Sequence, residues 1–231
     1  MGQATFAAQS FASELAAAAG KDPKEFLLEL IGPARIIAPA DISAEWWNYT
    51  ENPQRYAIDT ARLRRVVETV ASAAGWGRRY GAGRGLGIAA HRSFGSYVAV
   101  VVEVSWTTET GLVIPRVDIA IDCGPQINPD RIRSQMEGAV IQGISIATVS
   151  NISFRDGRPE QTSFDSFRLT RIDAAPKDIH VHLIPAKSFD DPLGGVGEPG
   201  LPPVPPALTN AVFAATGKRI RMLPIGNQLD A

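Results

Sequence analysis

The chain has 231 residues, of which 45% are hydrophobic, and its 23 basic and 24 acidic side chains leave a formal net charge of −1. That length is enough for one large domain or two modest ones with a proper core, and the balanced charge provides no overall field to draw it to nucleic acid or to an anionic membrane surface. One cysteine, Cys123, excludes an intrachain disulfide and any zinc or iron–sulfur site built from this chain's own thiolates.

The stretch from Thr5 to Ala19 is alanine-rich, with Ala8, Phe11, Leu15 and Ala18 on one helical face and Gly20 as a stop, which predicts a first helix. Asp22-Pro23-Lys24-Glu25 reads as N-cap, first-turn proline and a carboxylate at the third position, ahead of Phe26, Leu27 and Leu30, so a second short helix follows. Periodicity is lost between Gly32 and Pro53, where Trp46, Trp47 and Tyr49 cluster; this segment is expected to be irregular and to pack by its aromatics. Asp59 caps a third helix whose stripe is Leu63, Val66, Val67, Val70 and Ala74, ended by Gly75.

Gly75 to Gly87 interleaves glycines with Arg78, Arg79 and Arg84. Backbone amides and guanidinium groups both suit phosphate, but Gly81–Gly87 does not register as G-x-G-x-x-G, and no G-x-x-x-x-G-K-[ST] exists in the chain. A flexible connection between a helix and a strand is the plainer expectation. The period then switches to two: Val98, Val100, Val102, Val104 and Trp106 alternate with Tyr97, Ala99, Val101, Glu103 and Ser105 on a largely buried strand. After the polar connection Thr107–Gly111, Val113, Val117, Ile119 and Ile121 form its antiparallel partner. Asn128-Pro129-Asp130 starts a helix with Ile132, Met136, Val140 and Ile144 inside; Gly138 and Gly143 interrupt it at a cost of about 0.5–1 kcal/mol each, which suggests close approach of something bulky. Asn151–Arg171 is polar, with a turn at Asp156-Gly157 between short strands. Ile179, Val181 and Leu183 alternate with His180 and His182 on a last strand. The two imidazoles share a face as in a metal site, but with no third ligand nearby a solvent-facing edge is favoured.

The densest signal is Gly194-Gly195-Val196-Gly197-Glu198-Pro199-Gly200, one carboxylate in a loop nearly stripped of side chains. Glycine allows close backbone approach and proline fixes φ, so such a loop is stiff and could hold a glutamate against a bulky cofactor, although Gly/Pro-rich stretches with one Glu are commonly surface turns. Pro206 leads into an apolar helix from Ala207 to Ala215 that Gly217 stops, anchoring the loop from behind. The order of elements predicts an α+β fold, α/β-like, with mixed β-sheets and packed helices.

Three stretches together resemble the carboxyl-terminal part of the large, molybdenum-cofactor-binding subunit of the xanthine dehydrogenase/aldehyde oxidase family, with isoquinoline 1-oxidoreductase beta subunits and related aldehyde dehydrogenases as the nearest likeness. They are Asp122-Cys123-Gly124 with Asn128-Pro129, Gln135 through Gly143, and Gly194 through Gly200 with the following helix; the opening Phe6–Phe26 is similar too. The resemblance implies an oxidoreductase that hydroxylates an aldehyde or nitrogen heterocycle with oxygen from water, at molybdenum held by a pterin (molybdopterin or its cytosine dinucleotide). It implies Glu198 as general base, and Gln135, Gly138, Ala139, Gly194, Gly195, Val196 and Gly197 as cofactor-binding residues, Gln135 by a hydrogen bond from its amide.

The family's upstream Gly-Gly-Phe-Gly type motif is absent, so a full site is not expected from this chain alone. Either the sequence is a fragment of a longer subunit or the large subunit is divided between two polypeptides, and the start at Met1 favours the second; the expectation is then a part-subunit, with residues 1–84 as a helical and irregular segment packing on a partner chain and 85–231 as the α+β molybdopterin-binding domain. The partners implied are a second chain completing the large subunit and sharing the cofactor, a small subunit carrying 2Fe-2S clusters, and a flavin or cytochrome subunit that accepts electrons. The alternatives are a non-catalytic interaction subunit that buttresses such an assembly, or an independent small-molecule-binding domain. No basic segment precedes an apolar core at the start, so the chain is expected to be cytoplasmic as encoded, with export only through a signal-bearing partner.

Overall fold

In the computed structural model, which describes residues 2–38, 41 and 52–229, the valine-rich strand is the centre of the molecule. This strand, β4 (Ser96–Thr107), has antiparallel neighbours on both sides, β3 (Arg84–Ser93) and β5 (Gly111–Asp122), and β8 (Asp178–Leu183) extends the sheet by pairing parallel to β5. The remaining strands form two minimal pairs, β1 (Ile36–Ile37) with β2 (Ile58–Asp59) and β6 (Phe154–Arg155) with β7 (Arg158–Pro159). Because side chains alternate along a strand, β4 sends Val98, Val100, Val102 and Val104 to one face and Tyr97, Ala99 and Val101 to the other, and all are buried. The first face packs on α4 (Pro129–Thr148) and α5 (Val204–Thr216), the second on α2 (Pro23–Ile31) and α3 (Thr60–Ala74). The result is a mixed sheet between two helical layers, in which the helices before residue 84 share a core with the sheet after it. The aromatic cluster of Trp46, Trp47 and Tyr49 lies outside the described residues.

Helix starts follow their caps. Asp22 accepts hydrogen bonds from the amides of Lys24 and Glu25, Asp59 from those of Ala61 and Arg62, and Asn128 from that of Arg131. The α5 helix begins at Val204 rather than Ala207, with Pro205 and Pro206 in its first turn, where a missing amide proton has no helical partner to lose. Every residue from Val204 to Val212 is buried, as expected of a helix apolar on all sides.

One expectation is corrected. The glycine-rich segment is not a flexible connection throughout: β3 begins at Arg84, and a Cβ on Gly87 would stand 2.1 Å from the Ala211 amide nitrogen and 2.2 Å from the Ala207 carbonyl oxygen. The glycines let α5 lie directly on the strand. Arg84 pairs with Glu103 and sits over the Tyr80 ring, and Arg78 donates to the Ala74 carbonyl, so both guanidiniums are engaged within the chain. A two-residue turn at Phe94 (φ 50°) and Gly95 (φ 70°) then closes the β3–β4 hairpin.

Helix α1 (Gly2–Ala18) forms as predicted, and its polar face is the one turned inward. Its buried residues are Thr5, Ser10, Ser13 and Ala16, whereas Ala8, Phe11, Leu15 and Ala18 face outward. The reason lies in what α1 covers. The Ala90 amide on the open edge of β3 donates to Gln9 Oε1 at 3.0 Å, His91 Nδ1 meets Thr5 Oγ1 at 3.0 Å, and Arg219 donates to Ser13 Oγ and O. A polar helix face thereby satisfies an edge that would otherwise be open to strand addition.

His91 gives this contact a pH dependence. Burial above all, helped by the adjacent Arg92 charge, lowers its pKa to about 4. The unfolded chain, with a histidine near pKa 6.5, therefore binds more protons than the folded chain, and stability is complete above pH 6.5 and lost as the pH falls toward 4. Urea midpoints taken between pH 7.5 and 4.5 are expected to drop with acid by an amount on the order of 3 kcal/mol in stability, and His91→Gln is expected to flatten that slope. An identical slope in the variant would place the acid sensitivity elsewhere.

Candidate functional site

The site is built on the end of β5. Asp122, almost wholly buried, receives a two-pronged hydrogen bond from Arg62 of α3, Nε to Oδ2 at 3.0 Å and Nη2 to Oδ1 at 2.7 Å. Burial opposes the Arg62 charge, but the Asp122 hydrogen bond and charge outweigh it and raise the guanidinium pKa. The same carboxylate accepts from the Gly124 amide at 3.2 Å, which fixes the sharp turn after the strand (Gly124 φ 75°). Over that turn passes the chain from Pro192, so close that a Cβ on Gly124 would lie 2.3 Å from the Pro192 carbonyl oxygen. Between the two, Cys123 is buried, and burial and the neighbouring Asp122 raise its thiol pKa.

The glutamate loop is held to this frame by its backbone. The Gly194 amide donates to the Cys123 carbonyl (2.8 Å), the Gly195 amide to the Phe94 carbonyl (2.7 Å), and Ser96 Oγ to the Gly195 carbonyl (2.6 Å). A side chain at Gly194 would meet Ser96 Oγ at 2.1 Å, and one at Gly195 would meet Phe94 Cβ at 2.9 Å, so these two glycines have a reason within the chain: the hairpin turn lies against them. Gly200 does the same on the far side, seated against Met136 and Ala139 of α4. The middle of the loop differs. Val196 rests partly on the core, Gly197 has nothing within 4 Å of an added Cβ, and the Glu198 side chain is exposed, with no ion pair among the described residues.

Helix α4 runs beside the loop. Arg133 ties it to β8 through the Val181 carbonyl at 2.7 Å. Met136 and Ala139 face Gly200 of the loop, whereas Gln135, one helical turn before Ala139, and Gly138 are exposed. The two interior glycines have separate explanations. Gly143 admits Val204 of α5, whose Cβ would be 2.6 Å from a Cβ there, whereas Gly138 has open space. Glu198, Gly197, Gln135 and Gly138 are each exposed, while Ala139 is buried against Gly200 and Gly194 and Gly195 hold the loop.

Two clefts lie elsewhere. One of about 330 Å³ lies between the end of α4 and the carboxyl-terminal segment, lined by Ile144, Thr148, Leu169 and Ile225. Another of about 340 Å³ lies beside Asp122, lined by Arg62, Arg65, Lys187 and Pro192. Of the histidine pair, His180 is exposed as expected, but His182 turns to the buried Asp118, its Nε2 2.9 Å from Oδ1. Burial opposes Asp118 ionisation, yet hydrogen bonds from His182 and Arg116 and the Arg116 charge hold the carboxyl below its ordinary range. Among the described residues no group of three His, Cys, Asp or Glu could hold a metal ion, and no helix is long and apolar enough to cross a membrane.

Sequence pattern does not reveal the clamp on this loop. Phe94, Gly95 and Ser96 grip it, and the Phe94-Gly95 pair between two apolar alternations is the available hairpin signal. The Arg62–Asp122 fork joins residues 60 apart in sequence, for which no local signal exists.

Residues 6–176 match the molybdopterin cofactor-binding domain, and the chain belongs to that family, within the xanthine dehydrogenase/aldehyde oxidase group of large subunits. The match stops short of the Glu198 loop. The beta chain of isoquinoline 1-oxidoreductase from Brevundimonas diminuta is 36% identical over 69% of the present chain and 20% of its own length. A nicotinate dehydrogenase component from Pseudomonas putida is 30% identical over 96% of the chain and 18% of its own length. A membrane-bound aldehyde dehydrogenase from Gluconacetobacter polyoxogenes is 28% identical over 97% of the chain and 28% of its own length. The chain therefore spans less than a third of each of these relatives. Among solved structures, the aldehyde oxidoreductase from Desulfovibrio gigas shares the fold over 98% of this chain and 40% of its own, with a TM-score of 0.68 at 14% identity.

Proposed function

We propose that this chain is a catalytic part of a molybdenum hydroxylase that oxidises an aldehyde or nitrogen heterocycle with oxygen from water, Glu198 serving as general base. The observation that carries the reading is a carboxylate on a segment fixed at both ends by backbone bonds and close packing, open in the middle, and committed to no ion pair among the described residues. A base must be held in position while its oxygens stay free to take a proton.

Open backbone at Gly138 and Gly197 leaves room for a bulky group, and Gln135 carries an exposed side-chain amide on α4, which supports a cofactor seated against this part of the chain. When bound, the molybdenum–pterin group, as molybdopterin or its cytosine dinucleotide, supplies the redox chemistry. This chain's residues would do the rest: Gln135 would hold the group by a hydrogen bond from its side-chain amide, Gly138 and Gly197 would give it room, and Glu198 would take up the proton released in the oxidation. Gly194, Gly195 and Val196 set the position of that carboxylate through the loop's backbone.

A second polypeptide completes the large subunit and closes the pocket, and 2Fe-2S clusters on another subunit pass electrons to a flavin or cytochrome acceptor. A Glu198 left open to solvent supports a pocket that a further protein surface closes. The decisive test is Glu198→Gln in the assembled complex.

Gly138→Ala separates fold from cofactor contact. Alanine in an open helix-interior position is expected to stabilise the chain by about 0.5–1 kcal/mol, while its methyl group stands on the surface reserved for the cofactor and lowers the molybdenum retained per chain. Thermal melts and metal analysis of the same preparation check both. Raised stability with unchanged molybdenum would move the cofactor away from this helix face.

A further inference from the structure

We infer that Ser96, the first residue of β4, is a positioning residue for Glu198, whose hydroxyl fixes a peptide unit of the loop and through it the place of the carboxylate; this rests on the reading of Glu198 as general base. Ser96 is fully buried and shares a face of the strand with Val98, Val100 and Val102. Among the described residues its hydroxyl donates to one acceptor, the Gly195 carbonyl oxygen at 2.6 Å. A hydroxyl taken out of water costs free energy unless it is hydrogen-bonded, so on a face of valines this one has its reason in the loop and not in the sheet.

The fit is mutual. A Cβ on Gly194 would meet Ser96 Oγ at 2.1 Å, and the Gly95 carbonyl carbon and Ser96 amide nitrogen at 3.0 Å, so the loop reaches the hydroxyl only because residue 194 has no side chain. The β3–β4 turn closes the contact from the other side, with the Phe94 carbonyl accepting from the Gly195 amide at 2.7 Å. The Gly195 peptide groups are thus held on both sides, the amide by backbone and the carbonyl by the Ser96 side chain.

The backbone beyond that point shows what the bond restrains. Gly195 and Gly197 flank Val196, and glycine hinders rotation about its own backbone bonds least. Among the described residues no hydrogen bond is made to Val196 or Gly197, and Gly197 has open space around it. The next fixed point is the Glu198 carbonyl, which accepts from the Leu201 amide at 3.2 Å, followed by Gly200 against Met136 and Ala139. The Ser96 bond is therefore the last one that holds the loop before Glu198. Without it the Gly195–Val196 peptide is free to turn, and the carboxylate shifts with it. A general base acts only within hydrogen-bond reach of its proton, and a misplacement of about 1 Å costs on the order of a hundredfold in rate.

The test uses the assembled complex, with rates expressed per molybdenum. Ser96→Ala is expected to lower kcat by about 10- to 100-fold while KM changes by less than about twofold. Hydrogen–deuterium exchange read by mass spectrometry is expected to be several-fold faster in the peptide covering residues 194–198 and unchanged along β4, a contrast that general loosening of the sheet does not give. In a Glu198→Gln background the same serine substitution is expected to change the remaining rate by less than about twofold, because a residue that acts through the carboxylate then has nothing to position. Unchanged exchange in the loop, full turnover by Ser96→Ala, a loss confined to KM, or a rate loss that multiplies with that of Glu198→Gln overturns the inference. Normal turnover by Glu198→Gln sinks the base assignment and the catalytic role of the serine together, whereas a slow Glu198→Gln beside an unimpaired Ser96→Ala sinks the positioning role alone.

Discussion

Glu198→Gln in the assembled complex is expected to lower kcat and kcat/KM together by about two to four orders of magnitude, the range that a positioned general base contributes. The substitution preserves shape and removes only the ability to take a proton. It should leave assembly and molybdenum content unchanged, because everything that holds the loop is backbone or belongs to other residues: the Gly194 and Gly195 amides, the Ser96 hydroxyl, and the packing of Gly200 on Met136 and Ala139. The Glu198 side chain is exposed and contributes no ion pair among the described residues, so the melting temperature of the lone chain should not move. Single-turnover measurements on the loaded complex separate the chemical step from product release. Full turnover with glutamine at this position would favour a chain that buttresses the assembly without taking part in the reaction.

How far such a site can be read from sequence depends on whether its cause is local. The Gly194–Gly200 loop was legible because glycine and proline act through their own backbone, and α3 and α4 because Asp59 and Asn128 cap the amides that directly follow them. The even and odd residues of β4 were legible as strand, and burial of both sets followed from the lack of a polar face. In contrast, β3 reads as a loop since Gly-Arg-Gly-Leu-Gly has the composition of one, and only the presence of α5 over it explains why glycines occupy a strand. The outward turn of α1 was illegible for a related reason. Periodicity identifies the apolar side of a helix but not what the helix covers, and the polar edge of β3 with Arg219 and Arg221 behind it lies 81 to 207 residues away in sequence. The cause of the loop glycines was only half visible. Their freedom was apparent, but the neighbour that requires it at Gly194 and Gly195 is the β3–β4 turn.

Gly87→Ala is the stability counterpart, and it should be the most damaging single methyl that can be added to the sheet. The added Cβ would sit 2.1 Å from the Ala211 amide nitrogen and 2.2 Å from the Ala207 carbonyl oxygen, both backbone atoms of α5 that no rotamer change can withdraw. Relief requires the helix to lift by roughly an ångström to restore ordinary contact, and α5 is buried on all sides from Val204 to Val212, so lifting it also opens space above Val100 and Val102 on the same face of the sheet. Overpacking a core usually costs about 1–3 kcal/mol; with helix backbone as the obstacle, a loss of at least about 3 kcal/mol is expected, a large part of the stability of an ordinary domain. Gly85→Ala, whose nearest obstacles are Ala214 Cβ and the Ala215 amide at 2.7 Å near the end of the same helix, should cost less. Urea denaturation of the three chains side by side gives the ranking. A Gly87→Ala chain that unfolds at the wild-type midpoint would mean that α5 does not lie against β3 in solution, and with it would go the frame that carries the loop from Gly200 into Val204 and holds Glu198 beside α4.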